Sequence, residues 1–464
     1  MGLNNPLLPK DSSADKKASG ASDLLRAVFN VINTTFGTGF FLYARQFAIN
    51  GIGVSIGIML LLLVLVVLSL HALAEAVARS PPTLTAYPET ISYFTRPWCA
   101  RLVSSTINVY LVMAASAYLG LVADQLDALL GDIAPPRGVA LLCPLLFAAP
   151  FSLLRRMSSF ALTSGFGVFA NSFVALVLCH GAVRQILHHG IAPQGSPGSG
   201  SSTSDASGAS NLSGGGVSES IVHVFLNLAT LSTTVVFSFQ CHSDAFIPAI
   251  RSLTDTRQAT AVIYYSFAFV TLLYTTFGVL GALAWGHEAG ADPLSDNIPS
   301  DGVSQLCRLC VVFKVLVSYP LLFFAARLCA GHALLADDIT KPQHALAFHA
   351  YTVIFFFCSW ALAFSIRRLD ALADLAAAVG GTLQMFVWPG VLWVAMHYYK
   401  VGYVSKTDPG VIGHVHGHHD GHVHGHVHGH VHGHVVHLWL GAGLALAGAL
   451  VTTCGVIGVV LTEL

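Results

Sequence analysis

The chain is a succession of apolar runs, each close to the roughly 20 residues that a helix needs to cross the hydrocarbon core of a bilayer. Eleven such runs are readable, near 24–48, 52–78, 103–123, 138–154, 159–187, 221–248, 259–285, 303–329, 346–366, 371–397 and 437–461. They are continuous rather than alternating, which sets aside a membrane β-barrel. Only 10% of the 464 residues are charged and 54% are hydrophobic, whereas a soluble fold carries roughly 25% charged residues. A soluble enzyme, a secreted disulfide scaffold and a disordered chain are excluded on the same ground. The expected surroundings are a lipid bilayer. A net charge of −1 leaves no electrostatic footprint for nucleic acid. No nucleophile–base pair or nucleotide loop is present, so no enzyme is expected, and nothing in the pattern requires more than a monomer.

Lys and Arg set the expected orientation. With the N-terminus in the cytosol, fifteen of them fall on the cytosolic side and six on the other, with Lys314 alone inside a span. This predicts a C-terminus on the extracellular or lumenal side and an odd number of spans. The organisation that follows is a cytosolic tail over 1–22, a ten-helix core over 23–400, a His-rich cytosolic loop over 401–436, and an eleventh helix with a short end over 437–464. Within the core, 189–220 is rich in Gly, Ser and Pro and reads as a flexible non-cytosolic loop. It holds Asn211-Leu212-Ser213, an N-glycosylation acceptor pattern that makes Asn211 a candidate site. The pair Cys307 and Cys310 has CxxC spacing but no second pair, so packing explains it.

Inside lipid, a helix that stops must have its freed N–H and C=O groups met by protein, water or substrate. Breaks therefore mark cavities. In the first run Asn30, Asn33, Thr34 and Thr35 precede Gly37-Thr38-Gly39, which makes a poor continuous helix. The sixth run, from Asn227 to Asp244, is again polar in its middle but has no glycine. Odd segments at matching places in two halves point to an inverted-repeat transporter. A half-helix N-terminus attracts a carboxylate, and freed carbonyls with Asn, Ser or Thr oxygens suit a hard cation. Such a load is an amino acid with a coupling ion.

At these segments the chain resembles the amino acid/auxin permease family, most of all its sodium-coupled neutral amino acid transporter branch. Phe29-Asn30 through Gly37-Thr38-Gly39 resembles the family's first-span pattern, and Phe237-Ser238-Phe239-Gln240-Cys241-His242 its sixth-span signature. Ser318-Tyr319-Pro320 through Arg327, and the tenth run with Gly380-Gly381 and Trp388-Pro389-Gly390, add to the likeness. The resemblance implies an all-α polytopic fold of about eleven helices in the leucine-transporter-like arrangement of five plus five inverted, with helices one and six broken. It implies secondary transport of amino acids coupled to H+ or Na+. The expected substrate-binding residues are Asn30, Thr34, Gly37, Thr38, Gly39, Phe237, Ser238, Phe239 and Cys241. Those expected at the coupling ion are Asn33 and Ser318. No conventional cofactor is implied. The spans that line such a site hold no obvious acidic selector, which favours neutral substrates.

Lys314 departs from the pattern. An ammonium at mid-membrane costs on the order of 3 kcal/mol on insertion scales. It stands one turn from Ser318 and is a candidate to fill or border the cation site in place of sodium; structural pairing is the competing reading. Cys241-His242 reads as site-adjacent, and Asp244 as a candidate protonatable partner. His71 and Glu75, at i,i+4, read as an interfacial pair.

Residues 414–437 hold twelve histidines in a four-residue repeat with Gly. Without apolar partners for a core, the tract is expected to lack fixed structure. His414, His416, His418 and His422 are candidate ligands for Zn2+, against the simpler reading of a neutral expansion. Two other functions stay open at this stage: a metal ion transporter using the tract, and an organellar amino acid sensor.

Overall fold

The structure, a computed structural model, describes residues 13–152, 161–193, 216–335, 339–398 and 427–463. Asn211 and the four candidate ligands His414, His416, His418 and His422 lie outside these residues, as do most of the loops expected at 189–220 and 401–436. Every regular element among the described residues is helical.

The first expected span is not one helix. α1 (Ser13–Thr35) ends, and after Phe36 and Gly37 a 3₁₀ turn (Thr38–Leu42) leads into α2 (Tyr43–Asn50). α3 (Ile52–Arg79) follows, then the short α4 (Tyr87–Phe94) and the long α5 (Pro97–Leu130). The fourth expected span is a short pair, α6 (Arg137–Ala140) and α7 (Leu142–Ser152), and α8 (Ala161–His189) closes the first half. The sixth span is also split. α9 (Gly216–Ser238) stops, residues 239–241 are non-helical, and a π turn (His242–Phe246) leads into α10 (Ile247–Arg251). α11 (Ala259–Trp285), the loop helix α12 (Pro293–Asp296), α13 (Gly302–Leu334) and α14 (Ala345–Ser365) come next. The tenth span is α15 (Leu369–Ala376), two π turns (Ala377–Gly381 and Leu383–Val387) and α16 (Trp388–Tyr398).

The last helix, α17 (Val427–Glu463), begins ten residues before the apolar run, so the end of the His tract continues the final span. Extending an existing helix adds one hydrogen bond per residue without a new nucleus. Nine of these segments are long and apolar enough to cross a membrane among the described residues. The first span, with its polar window, is not among them, and the fourth is short.

Local sequence explains the helix ends. Asp301 caps α13, its Oδ1 accepting from the Ser304 amide at 2.8 Å while the Ser304 hydroxyl accepts from the Asp301 amide at 3.0 Å. Gly131 and Gly286 stop α5 and α11 at positive φ, 54° and 50°. Packing sorts the helices into inner and outer ones. In α5 and the tenth span, 72% and 67% of the apolar window is buried; in α3 and α17 only 28%. The outer helices show Leu61, Leu272, Leu346 and Leu450 at the surface, as lipid-facing positions do. The third helix of the first half, α5, packs along its counterpart α13, and α3 along its counterpart α11. This is the leucine-transporter-like five-plus-five arrangement, with α17 at the periphery.

Contacts between loops divide the charged residues between the two ends. Arg45 and Arg368 pair with Asp370, Arg137 pairs with Asp124, and the Gln125 amide donates to Asp292 at one end. At the other, the Thr254 hydroxyl donates to Asp23 at 2.5 Å, Arg251 holds the carbonyls of Leu84 and Pro81, and His332 sits 3.3 Å from Glu89. Here Glu75 pairs with Arg79 and lies 3.7 Å from His397, while His71 Nδ1 meets the Val67 carbonyl at 2.8 Å. His71 and Glu75 therefore have separate partners. All nine cysteines are free, Cys307 and Cys310 included.

Candidate functional site

The two breaks meet. Gly39, in the turn after the first break, lies against Ser238 at the end of α9. A Cβ added at Gly39 would sit 3.1 Å from the Ser238 Cα and would clash with the Ser238 hydroxyl. Only a residue without a side chain lets the halves approach so closely. The Tyr274 hydroxyl of α11 ties them together, donating to the Thr35 carbonyl at 2.7 Å and reaching the Ser238 carbonyl at 3.3 Å. One phenol thus serves a freed carbonyl at each break, as a backbone interruption in an apolar setting requires. Around it, Phe36, Phe40, Tyr43 and Phe239 pack on the Tyr274 ring, at centroid distances of 4.6 to 6.2 Å.

Beside this junction is a cavity of about 60 Å³. The first span contributes Asn33, Thr34, Thr35, Gly37, Thr38 and Gly39 to its wall, and the sixth contributes Phe237, Gln240 and Asp244. α5 supplies Tyr110, Ala114 and Tyr118, and α13 supplies Ser318, Leu321 and Leu322. Asn33, Asp244, Leu321 and Leu322 lie on the side of the breaks that carries the start of α1, and Thr38, Gly39, Phe237 and Tyr118 on the other, so the cavity straddles the breaks. Toward the opposite end the Arg45–Asp370 pair joins α2 to α15.

Several polar atoms in this region have no hydrogen-bond partner among the described residues. They include Asn33 Oδ1, the Thr38 hydroxyl, Gln240 Oε1 and Asp244 Oδ1. Buried polar groups are nearly always paired, so an unpaired set around one cavity marks where a polar ligand is to be received. Other groups are committed. Asn171 of α8 donates to the Phe36 carbonyl, the Ser238 hydroxyl donates to the Thr234 carbonyl at 2.7 Å, and Gln240 Nε2 donates to Gln384 Oε1 at 3.0 Å. The π turns of the tenth span bring Gly380 against Tyr110, its position for a Cβ lying 3.0 Å from the Tyr110 Cα. π turns recur at functional sites, and this one lets α5 come close enough to place Tyr110 in the wall.

Of the residues anticipated for substrate, Thr34, Gly37, Thr38, Gly39 and Phe237 line the cavity; of those for the ion, Asn33 and Ser318 do. Asn30 is exposed, and its carbonyl accepts from the Thr34 hydroxyl at 3.1 Å. Ser238, Phe239 and Cys241 are buried behind the wall. Lys314 also lies outside the wall. It is buried, with its Nζ 5.5 Å from the centre of the Tyr118 ring, and no carboxylate stands within 4 Å of it among the described residues. Tyr110, Tyr118 and Gln240 were not anticipated. The spacing of Tyr110, Ala114 and Tyr118, four residues apart on one face of a helix, is the signal that could have found two of them.

Two interrupted helices crossing at mid-span, with a polar cavity between their partners, define the class: a membrane carrier of the inverted-repeat type. Residues 20–401 match the family described as transmembrane amino acid transporter protein, and the chain belongs to that family. It is 25% identical over 412 residues to a Xenopus laevis protein named sodium-coupled neutral amino acid transporter 7, covering 83% of this chain and 84% of that one. It is 28% identical over 201 residues to a Caenorhabditis elegans protein named vesicular GABA transporter, covering 40% and 41%. Among solved structures it resembles a nucleobase-cation-symport-1 family transporter in a closed conformation, at 12% identity and a TM-score of 0.48, with 94% of this chain and 90% of that one covered.

Proposed function

We propose that this chain is a secondary carrier that moves neutral amino acids across a membrane by alternating access, driven by a proton gradient. The observation that supports this best is the meeting of the two broken helices at Gly39 and Ser238 beside a polar cavity. The first N–H groups of the turn at Thr38 have no carbonyl a turn earlier to bond. They and the Thr38 hydroxyl suit a substrate carboxylate. The Xenopus laevis relative is named for neutral amino acids, and the same cargo is inferred here. A cavity of about 60 Å³ agrees with a small one.

Asn33 and Ser318 form the coupling-cation subsite, and Lys314 borders it one turn away. The ammonium supplies the positive charge that a sodium ion supplies in a sodium-coupled carrier. With the N-terminus in the cytosol and the C-terminus opposite, Asp244 lies on the cytosolic side of the breaks and the Arg45–Asp370 pair on the outer side. The membrane is then the plasma membrane or that of a lysosome-like or vacuole-like organelle. A metal carrier is disfavoured by the match of residues 20–401 to the amino acid transporter family. Zn2+ on the tract at 414–437 would be peripheral to transport.

The test is uptake of a labelled amino acid panel by proteoliposomes under imposed proton or sodium gradients. Neutral amino acids should accumulate on the proton gradient, with sodium making no difference. Absence of uptake for every amino acid would overturn the carrier reading. A sodium requirement in the wild type would remove the role given to the ammonium.

A further inference from the structure

We propose that Asp244 is the group that takes up the co-transported proton from one side of the membrane and releases it on the other. This rests on the carrier reading and extends it, since neither Asn33 nor Ser318 can carry a proton at ordinary pH.

The placement is specific. Asp244 lies in the π turn that begins just past the break in the sixth span, and it lines the cavity. Its Oδ1 is buried without a hydrogen-bond partner among the described residues. The N–H groups of Asp244 and Ala245 lie against the carboxyl group. No Lys, Arg or His approaches it within 4 Å among the described residues. Titratable groups face it from its own segment, at Cys241, and from two packed helices. α5 presents Tyr110 and Tyr118, and α13 presents Cys329. Glu89 of the neighbouring α4 has its own partner in His332. Lys314 stands at the Tyr118 ring.

An isolated carboxylate in an apolar setting costs far more than the neutral acid, and such groups lose their charge unless a cation is at hand. Asp244 has none beside it among the described residues, but it lines the cavity. His242, two residues earlier, is a poorer candidate: it is fully buried, and its Nε2 is engaged by the Ser69 hydroxyl at 2.8 Å. Lys314 does not reach the cavity wall. The proton balance is simple. The Asp244 carboxylate binds one proton from water and becomes a carboxylic acid; the zwitterion binds; both cross; the acid returns the proton to water on the far side. One positive charge moves with each neutral amino acid, and no other bond changes. Because the turn that holds Asp244 follows directly from the break, a substrate seated at the break alters the setting of the acid, which is the coupling that symport requires.

A carboxylate in a transport cavity could instead read the side chain of a cationic substrate. The volume argues against it. At about 10–15 Å³ per water position, a cavity of about 60 Å³ holds the equivalent of a few waters, too few for the long side chain of lysine or arginine.

The experiment uses the full-length chain in proteoliposomes, with labelled alanine as probe and an internal pH dye. Wild type should accumulate alanine on an inward proton gradient and acidify the interior as it does so. Asp244→Asn should lose both gradient-driven accumulation and alanine-dependent acidification, with acidification per alanine exchanged at equal pH falling to background. Asp244→Glu should recover them with a shifted pH midpoint. Alanine-dependent acidification that survives in Asp244→Asn overturns the proposal, as does an unshifted midpoint in Asp244→Glu should the Asn variant fail to exchange. Loss of lysine uptake in Asp244→Asn, with proton-driven alanine uptake intact, overturns it in favour of a side-chain reader. Failure of wild type to exchange any amino acid would instead sink the carrier reading.

Discussion

Gly39 and Ser238 touch where the two interrupted helices cross, with room for no atom between them. The contact joins positions that stand almost 200 residues apart in the chain and occupy matching places in its two halves. It decides how the turn at Thr38 is presented to the cavity. Gly39→Ala should therefore abolish or strongly reduce uptake while the protein still folds. Comparison of uptake with the thermal unfolding midpoint in detergent separates the two effects. Unchanged transport would mean that the junction gives way without consequence.

Tyr274 holds both breaks through a single hydroxyl. Tyr274→Phe keeps the ring and its packing but leaves buried carbonyls short of a donor, at about 1–3 kcal/mol for an unsatisfied buried group. The expected outcome is a lower unfolding midpoint together with slower transport. A variant as stable and as active as wild type would show that water replaces the phenol.

The Arg45–Asp370 pair links α2 to α15 on the side of the breaks away from the start of α1. Arg45→Ala should loosen that link and lower net accumulation, because a carrier that leaks at one end cannot hold a gradient. Exchanging the two charges, Arg45→Asp with Asp370→Arg, should restore part of the loss. The second arginine on Asp370, Arg368, limits how complete the rescue is. Efflux from preloaded proteoliposomes is the measurement.

Asp292, in the loop between α11 and α13, is buried and receives the Gln125 amide and the Leu294 N–H. Burial pushes its carboxyl up to about 7, with the Asp296 and Asp124 carboxylates adding to the effect and a Ser295 hydrogen bond opposing it. In the unfolded chain the same group titrates near about 3.9. The folded state therefore holds the proton more tightly, and stability falls as pH rises from the lower value through the upper one. The unfolding midpoint should rise on acidification from about pH 8 to about pH 5, and Asp292→Asn should flatten that dependence. A pH profile unchanged in the variant would place the titration elsewhere.

Much of this architecture was legible in the residues. The apolar runs give the spans, and a polar, glycine-bearing window in the first run gives its break. The break in the sixth was readable only by its place in the second half, because its polar residues are also compatible with a continuous helix. Gly37, Thr38 and Gly39 sit at the cavity as anticipated, whereas Ser238, Phe239 and Cys241 lie behind its wall. A pattern along one helix says which residues are unusual but not which way each one points. Tyr110 and Tyr118 belong to a stretch with nothing unusual about it and join the site only because α5 packs against the breaks, whereas Gln240 stands in the sixth-span signature, whose pattern does not say that its Oε1 is left unpaired beside the cavity.

The sequence by itself determined that this chain lives in a bilayer, and that its first span is interrupted. Both follow from local rules: hydrocarbon demands long apolar runs, and a backbone cannot stay helical through closely spaced glycines and polar residues at no cost. Only the tertiary structure decided which polar atoms share one cavity and that Asp244 is the charged side chain in its wall. Those are distances between residues far apart in the chain, and they are set by how helices pack.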